Sequence, residues 1–387
     1  MRLTKSAVAK LDVPPGRAEV TYYDDDLRGF GVRARRGGKR SWVAVYRIGN
    51  KVRRVTIGDA TVVGPEEARA KARKVLASAD LGEDVQAKRK EEKAKAATTF
   101  GIVVDQYIKH YVERRQRPKT QHETKRYLRT NWKGLDDLPL HQIARRDVAA
   151  ILADIVADNG AISANRARIA LHGFFVWAMQ QGIAEANPVA GTAAPAAERK
   201  RDRTLSNGEI RVIWTATETP GHFNAIVRLL LLTGQRREEV GGMRWSELDL
   251  EKTLWSLPAD RTKNSQMHDV PLSNAVLQIL SRHPHRVDRD LVFGKGKGSF
   301  AGWSKAKARL DDDTGVTDWR LHDLRRTAVT GMAEIGIQPH VIEAIVNHSS
   351  GHKAGVAGIY NRATYAQEKR SGLERWAEYI RSIVSNG

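Results

Sequence analysis

At 387 residues the chain has room for two or three domains. Its 65 Lys and Arg outnumber 45 Asp and Glu, and a net charge of +20 points to a polyanionic partner, nucleic acid first. There is no Cys, which excludes disulfides and thiolate metal sites, and no apolar run approaches the ~18 residues that span a bilayer. The N-terminal MRLTKSAVAKLD lacks the apolar core of a secretion signal, so a cytoplasmic protein without a membrane partner is expected.

Residues 1–95 form the first expected unit. The stretch from Thr21 to Gly58 alternates apolar and basic positions, with turn residues at Gly37-Gly38 and Gly49-Asn50. That pattern predicts a small antiparallel sheet. Gly64-Pro65-Glu66-Glu67 then opens a helix running to Ala79. Residues 1–96 hold 23 basic and 13 acidic side chains, about half the net charge in a quarter of the length. Arg33, Arg35, Lys39, Arg40, Arg53 and Arg54 are candidates to lie against a nucleic-acid groove. Residues 83–97 mix charges with almost no apolar content and predict a solvated helical linker.

Residues 98–192 are helical in pattern, with four or five short helices that suggest a bundle. Leu171, Phe174, Phe175, Trp177 and Met179 are expected in its core. Lys119, Lys125, Arg126, Arg129, Arg166 and Arg168 are candidate phosphate contacts. Asn187-Pro188 ends the bundle, and an Ala-rich, then basic, segment over 189–203 predicts a linker.

The last expected domain covers 204–387. Ser206 and Glu209 form a capping box flanked by Leu205 and Ile210. A buried helix follows near 226–233. Three strands are expected over Ser246–Leu250, Thr253–Leu257 and the stretch Asp260–Leu272, where Lys263 sits at a hairpin tip. His322 and Arg325 share one face of a helix whose apolar side is Leu321, Leu324, Ala328, Met332 and Ile335, with Gly336 at its end. A short helix starts at Pro339 and ends near His348, and Tyr360 follows a loop rich in Gly and Ala. The final helix, 368–383, places Leu373, Trp376, Tyr379, Ile380 and Ile383 on one side, to cover either its own core or a neighbour. The fold class expected is multidomain α+β: a small N-terminal sheet with a helix, a helical bundle, and a mainly α domain with a small antiparallel sheet.

Arg236, Lys263, His322, Arg325, His348 and Tyr360 together resemble the active site of the tyrosine recombinases, the phage-integrase family. That family's order is Arg…Lys…His-x-x-Arg…His/Trp…Tyr, and all six positions are filled. The resemblance implies a prophage or genomic-island integrase, bacterial or phage-encoded and nucleoid-associated. Residues 1–95 would be its arm-type DNA-binding domain, 98–192 its core-binding domain and 204–387 its catalytic domain. It implies double-stranded attachment sites as substrate, a homotetramer on DNA, and an excisionase and a host DNA-bending protein as partners. No cofactor and no metal are implied.

The residue types suit that chemistry. A phosphodiester repels nucleophiles, so a catalyst must neutralise its charge, attack it and protonate the leaving oxygen. Two arginines can fork onto the non-bridging oxygens where other enzymes place a metal. The resemblance assigns the nucleophile to Tyr360, a phosphate hydrogen bond to His348 and the general acid to Lys263. His322 could take the phenol proton. Tyr365 is the competing nucleophile, but the family pattern matches the first Tyr of Tyr-Asn-Arg-Ala-Thr-Tyr. Glu239, three residues after Arg236, either pairs with a basic group of the site or is a surface carboxylate. Rival functions are a type IB topoisomerase, which shares the chemistry, and a DNA-binding regulator without it. Two lookalikes are set aside. Gly294–Ser299 lacks the ending of a nucleotide-binding loop. His348 and His352 are separated by a Gly turn, with no Glu to complete a zinc motif.

Overall fold

The structure, a computed structural model, describes residues 1–197, 201–348 and 363–385. The chain divides near residue 199 into two compact units. The first opens with a short helix, α1 (Lys5–Ala9), that the sequence pattern does not announce. An antiparallel sheet follows, its strands in sequence order: β1 (Glu19–Tyr23), β2 (Phe30–Arg35), β3 (Arg40–Ile48) and β4 (Lys51–Asp59). Side chains alternate across a strand, so Phe30, Val32 and Ala34 of β2 and Trp42, Ala44 and Tyr46 of β3 point inward and are buried. Helix α2 (Pro65–Asp80) covers that face with Ala68, Ala72, Val75 and Ala79. A buried ion pair, Arg69 to Asp24 at 2.9 Å, ties α2 to the end of β1, and Asp24 also accepts the Leu3 amide. Helix α3 (Val85–Ala97) buries none of its residues, as expected of a solvated linker.

A second hydrophobic cluster in the same unit belongs to the bundle. Helix α4 (Phe100–Tyr107) passes through a π turn (Ile108–Val112) into α5 (Glu113–Arg115). Helices α6 (Pro118–Arg126), α7 (Arg145–Asn159) and α8 (Ala161–Gln180) complete it. Leu171, Phe174, Phe175 and Trp177 are buried with Phe100, Tyr107 and Trp132. Met179 departs from expectation and is 42% exposed. It falls past the edge of the arc that Leu171, Phe174, Phe175 and Ala178 define at 3.6 residues per turn.

The second unit starts with α9 (Asn207–Ala216), capped as expected: Ser206 Oγ accepts the Glu209 amide, and Glu209 accepts the Ser206 amide at 2.8 Å. Helix α10 (His222–Thr233) is buried along most of its length and leads into α11 (Arg237–Gly241). The small sheet is β5 (Leu248–Asp249), β6 (Leu254–Leu257) and β7 (His268–Pro271), all antiparallel. The strand expected over Ser246–Leu250 shrinks to two residues, because both the amide and the hydroxyl of Ser246 bond Asp290 and hold a 3₁₀ turn there. The stretch before His268 is loop rather than strand.

Helices α12 (Asn274–Leu280), α13 (Trp303–Thr314), α14 (Leu321–Glu334), α15 (Pro339–Ile345) and α16 (Ala366–Ser385) complete the unit. The apolar face of α16 covers its own core through Leu373, Trp376, Ala377, Ile380 and Ile383. The Trp376 indole donates to Leu231 O at 2.8 Å, and its ring lies so close to Gly331 that a Cβ there would overlap it. Gly294–Ser299 wraps a cation rather than an anion: Arg289 Nη2 takes the carbonyls of Phe293 and Gly298 at 2.6 and 3.0 Å. Among the described residues no helix is long and apolar enough to cross a membrane.

Candidate active site

Five of the six expected catalytic side chains lie among the described residues; Tyr360 lies outside them, as does His352. Arg236 and Arg325 meet at the end of α15, which His348 follows, and the loop carrying Lys263 is bonded to the same turn through Asn264. A helix end leaves its last carbonyls without intrahelical partners. Here Ile345 O accepts from Gln235 Nε2 at 2.8 Å and from His268 Nε2 at 2.9 Å. Val346 O accepts from Arg325 Nη2 at 2.5 Å, and Asn347 O from Arg236 Nη2 at 3.3 Å. His348 comes next, its own amide donating to Glu343 O. Three consecutive carbonyls therefore set Gln235, Arg325 and Arg236 side by side.

Arg325 reaches this point because Leu321, Leu324, Ala328 and Met332 fix α14 in the core. It is 3% exposed, and its Nη1 donates to Gly234 O at 2.6 Å. Gly234 closes α10 at φ +64°, a left-handed position where glycine carries no Cβ penalty. Burial, then the Arg236 charge, push the Arg325 pKa down to about 10, against the pull of Glu239, so it stays cationic at neutral pH. Arg236 is fastened twice to Glu239, backbone amide to Oε2 at 3.0 Å and Nη1 to Oε1 at 2.9 Å. Glu239 is 4% exposed, so it is a buried partner of the site and no surface carboxylate. A guanidinium carries five N–H donors, and the bonds described use two on each arginine.

His322 lies one turn before Arg325 on the same face of α14. Partial desolvation, then the charges of Arg325 and Arg326, hold its pKa below the ordinary imidazole value, although much of the residue is in solvent. Desolvation followed by Arg325 and Arg236 does the same to His348. Both imidazoles are thus mainly neutral at pH 7 and able to take a proton or share one. Lys263 is exposed in the loop between β6 and β7. Its neighbour Asn264 exchanges amide hydrogen bonds with Asn347, at 2.6 and 3.2 Å.

His268, Gln235, Asn264 and Asn347 escape sequence reasoning. Only Asn347 carries a signal, an Asn where a short helix must turn left-handed, and it sits at φ +51°. His268 makes the site acid-sensitive. Burial first, then the Lys369 charge, push its pKa down to about 4, so the neutral ring donates to Ile345 O. The unfolded chain takes up this proton near the ordinary value of about 6.5. Stability is therefore complete above that value and is lost as pH falls toward 4, by about 3 kcal/mol. Thermal melts should show wild type losing stability between pH 7 and 5 more steeply than His268→Gln. Equal slopes would remove His268 as the cause.

Three family models match consecutive stretches. These are an Arm DNA-binding domain over residues 3–92, a Phage integrase central domain over 100–194 and the Phage integrase family over 203–367. The chain is homologous to phage and prophage integrases, the tyrosine recombinases. Prophage integrase IntA of Escherichia coli is 32% identical over 158 residues, 40% of this chain and 38% of that protein, so the match spans well under half of IntA. The integrase of Shigella phage Sf6 is 26% identical over 360 residues, 89% of this chain and 90% of its own. In fold, a lambda integrase tetramer bound to a Holliday junction aligns at TM-score 0.56 and 20% identity, covering 88% of this chain and 97% of that one.

Along the matched stretches the basic candidates separate by what they touch. Arg33, Arg35 and Arg54 share the open face of the N-terminal sheet with Glu19. Glu19 pairs with Arg54 at 3.1 Å, Arg35 at 3.3 Å and Arg33 at 3.8 Å. Lys39 is exposed in the β2–β3 turn. The six N-terminal candidates do not share one face. Arg40 donates to Leu11 O, and Arg53 pairs with Asp84 at 2.9 Å, both on the helix-covered side. In the bundle Lys119 is exposed, Lys125 pairs with Glu113 at 2.7 Å and Arg129 pairs with Asp105. Arg126 lies over the Tyr127 ring, Arg168 holds Thr192, and Arg166 interacts within the protein.

Proposed function

We propose that this chain is a site-specific DNA recombinase that integrates or excises a mobile element or prophage. One observation carries the reading: Arg236 and Arg325 are locked onto adjacent carbonyls, beside two mainly neutral histidines. That is a fixed cationic seat for a phosphodiester. The Tyr360 phenol oxygen attacks phosphorus while His322 takes the phenolic proton. The bond to the 5′ oxygen breaks, Lys263 gives that oxygen a proton, and a 3′-phosphotyrosyl ester remains. His348 donates to a non-bridging oxygen. A 5′-hydroxyl from a partner strand reverses the step, so no ATP and no metal enter.

The rest of the chain is read in the same frame. Residues 1–95 are the arm-type DNA-binding domain, 98–192 the core-binding domain and 204–387 the catalytic domain, each with its own hydrophobic cluster. The Arg33, Arg35 and Arg54 face meets DNA at arm sites. The working assembly is a homotetramer on two attachment sites, as the lambda integrase tetramer on a Holliday junction suggests, with an excisionase and a host DNA-bending protein as partners.

The test uses leaving-group chemistry. Lys263→Ala should cleave normal DNA about 10²–10⁴-fold more slowly, the usual loss of a general acid. Replacing the 5′-bridging oxygen by sulfur gives a leaving group that needs no proton, so the variant should recover most of its rate there. Arg236→Ala should not recover. Failure of sulfur to rescue Lys263→Ala would assign the proton to another group.

A further inference from the structure

The loop that carries Lys263 is fastened at two points, and the second has no role in the chemistry above. Thr262 is fully buried, and its hydroxyl donates to Gln266 O at 2.7 Å while accepting the Gln266 amide. On the other side of Lys263, Asn264 Nδ2 donates to Asn347 Oδ1 at 2.6 Å and Asn347 Nδ2 returns a bond to Asn264 Oδ1 at 3.2 Å. The pair joins residues 83 apart in sequence, one on the β6–β7 loop and one at the end of α15. Asn347 also gives its carbonyl to Arg236 and precedes His348.

We infer that Asn264 and Asn347 are a positioning pair that sets Lys263 against the phosphate held by Arg236 and Arg325. The inference rests on the reading of Lys263 as a residue acting at that phosphate. Lysine is a point charge on a flexible four-carbon stem, so the reach of its ammonium depends on where the backbone on both sides is held. Thr262 fixes one side to the loop interior. The amide pair fixes the other to the turn that holds Arg236 and His348. The left-handed backbone of Asn347, at φ +51°, turns its side chain toward the loop while its carbonyl faces the arginine. Lys263 is exposed and Arg325 buried. The pair links the loop of the exposed cation to the turn that holds Arg236 and Arg325.

The test is single-turnover cleavage of a nicked suicide substrate by the full chain. Asn264→Ala removes the amide from the loop side. Asn347→Gly removes it from the helix side and keeps a residue at ease with positive φ. Each should cleave about 10- to 100-fold more slowly, the scale of two lost hydrogen bonds at a misplaced catalytic group. DNA affinity should be unchanged. Asn264→Ala should add nothing in a Lys263→Ala background, and 5′-bridging sulfur should rescue it as it rescues Lys263→Ala. A loosening that is merely structural would slow both substrates and both backgrounds alike, and that result overturns the inference. So does wild-type cleavage by Asn264→Ala while Lys263→Ala is slow. Wild-type cleavage by Lys263→Ala itself would instead bring down the role of Lys263, and the inference with it. If Asn347→Gly lowers the melting temperature, Asn264→Ala still carries the test.

Discussion

Tyr360→Phe should give no denaturant-stable protein–DNA adduct on a nicked suicide substrate, while wild type and Tyr365→Phe accumulate one. The substitution deletes a single oxygen, and that oxygen is the atom proposed to form the ester. Folding and DNA affinity should therefore survive. Tyr365 has other work: its carbonyl accepts the Lys369 amide at the start of α16, and its ring lies 5.0 Å from that of His340. Its backbone is left-handed at φ +51°. Loss of its hydroxyl touches none of these. An adduct formed by Tyr360→Phe would move the nucleophile elsewhere.

Arg325→Lys should reduce cleavage by about 10³-fold or more, the scale of an arginine on a transferring phosphoryl group. Charge alone does not replace it. The planar fork reaches Gly234 O and Val346 O together, and an ammonium is a point charge that cannot span both. A buried carbonyl left without its donor costs about 1–3 kcal/mol, so the melting temperature should fall as well. Arg236 is more exposed, at 23% of its side chain, so Arg236→Lys should lose rate with a smaller loss of stability. Sulfur in the leaving group should rescue neither variant. Near-wild-type cleavage by Arg325→Lys would refute the forked contact as the source of catalysis.

Local rules were enough for the elements that place the chemistry. The i, i+3 spacing of His322 and Arg325, the apolar side of α14 and Gly336 at its end are one-dimensional patterns, and the helix forms where they put it. The capping box at Ser206 works for the same reason. What sequence cannot carry is a contact between distant segments. Asn264 and Asn347 are ordinary turn residues until the fold brings them together, and His268 sits in a strand where nothing marks a hydrogen bond to Ile345. Glu239 could have faced water, and only the position of Arg236 shows that it does not. The basic residues mislead in the opposite way. Charge and strand alternation predict a cationic sheet, but one-residue steps decide whether an arginine faces outward, as Arg54 does, or meets Asp84, as Arg53 does.

The end of α15 has one more consequence. A helix C-terminus carries partial negative charge, and here it acts with the Glu239 carboxylate as counterion for two guanidiniums that would otherwise repel each other. The two guanidiniums are therefore held in place by the protein's own groups. A small slide of α15 along its axis would withdraw the carbonyls from Arg325 and Arg236 together, and displace His348 by the same amount. The placement of both guanidiniums and of His348 therefore depends on the register of one seven-residue helix.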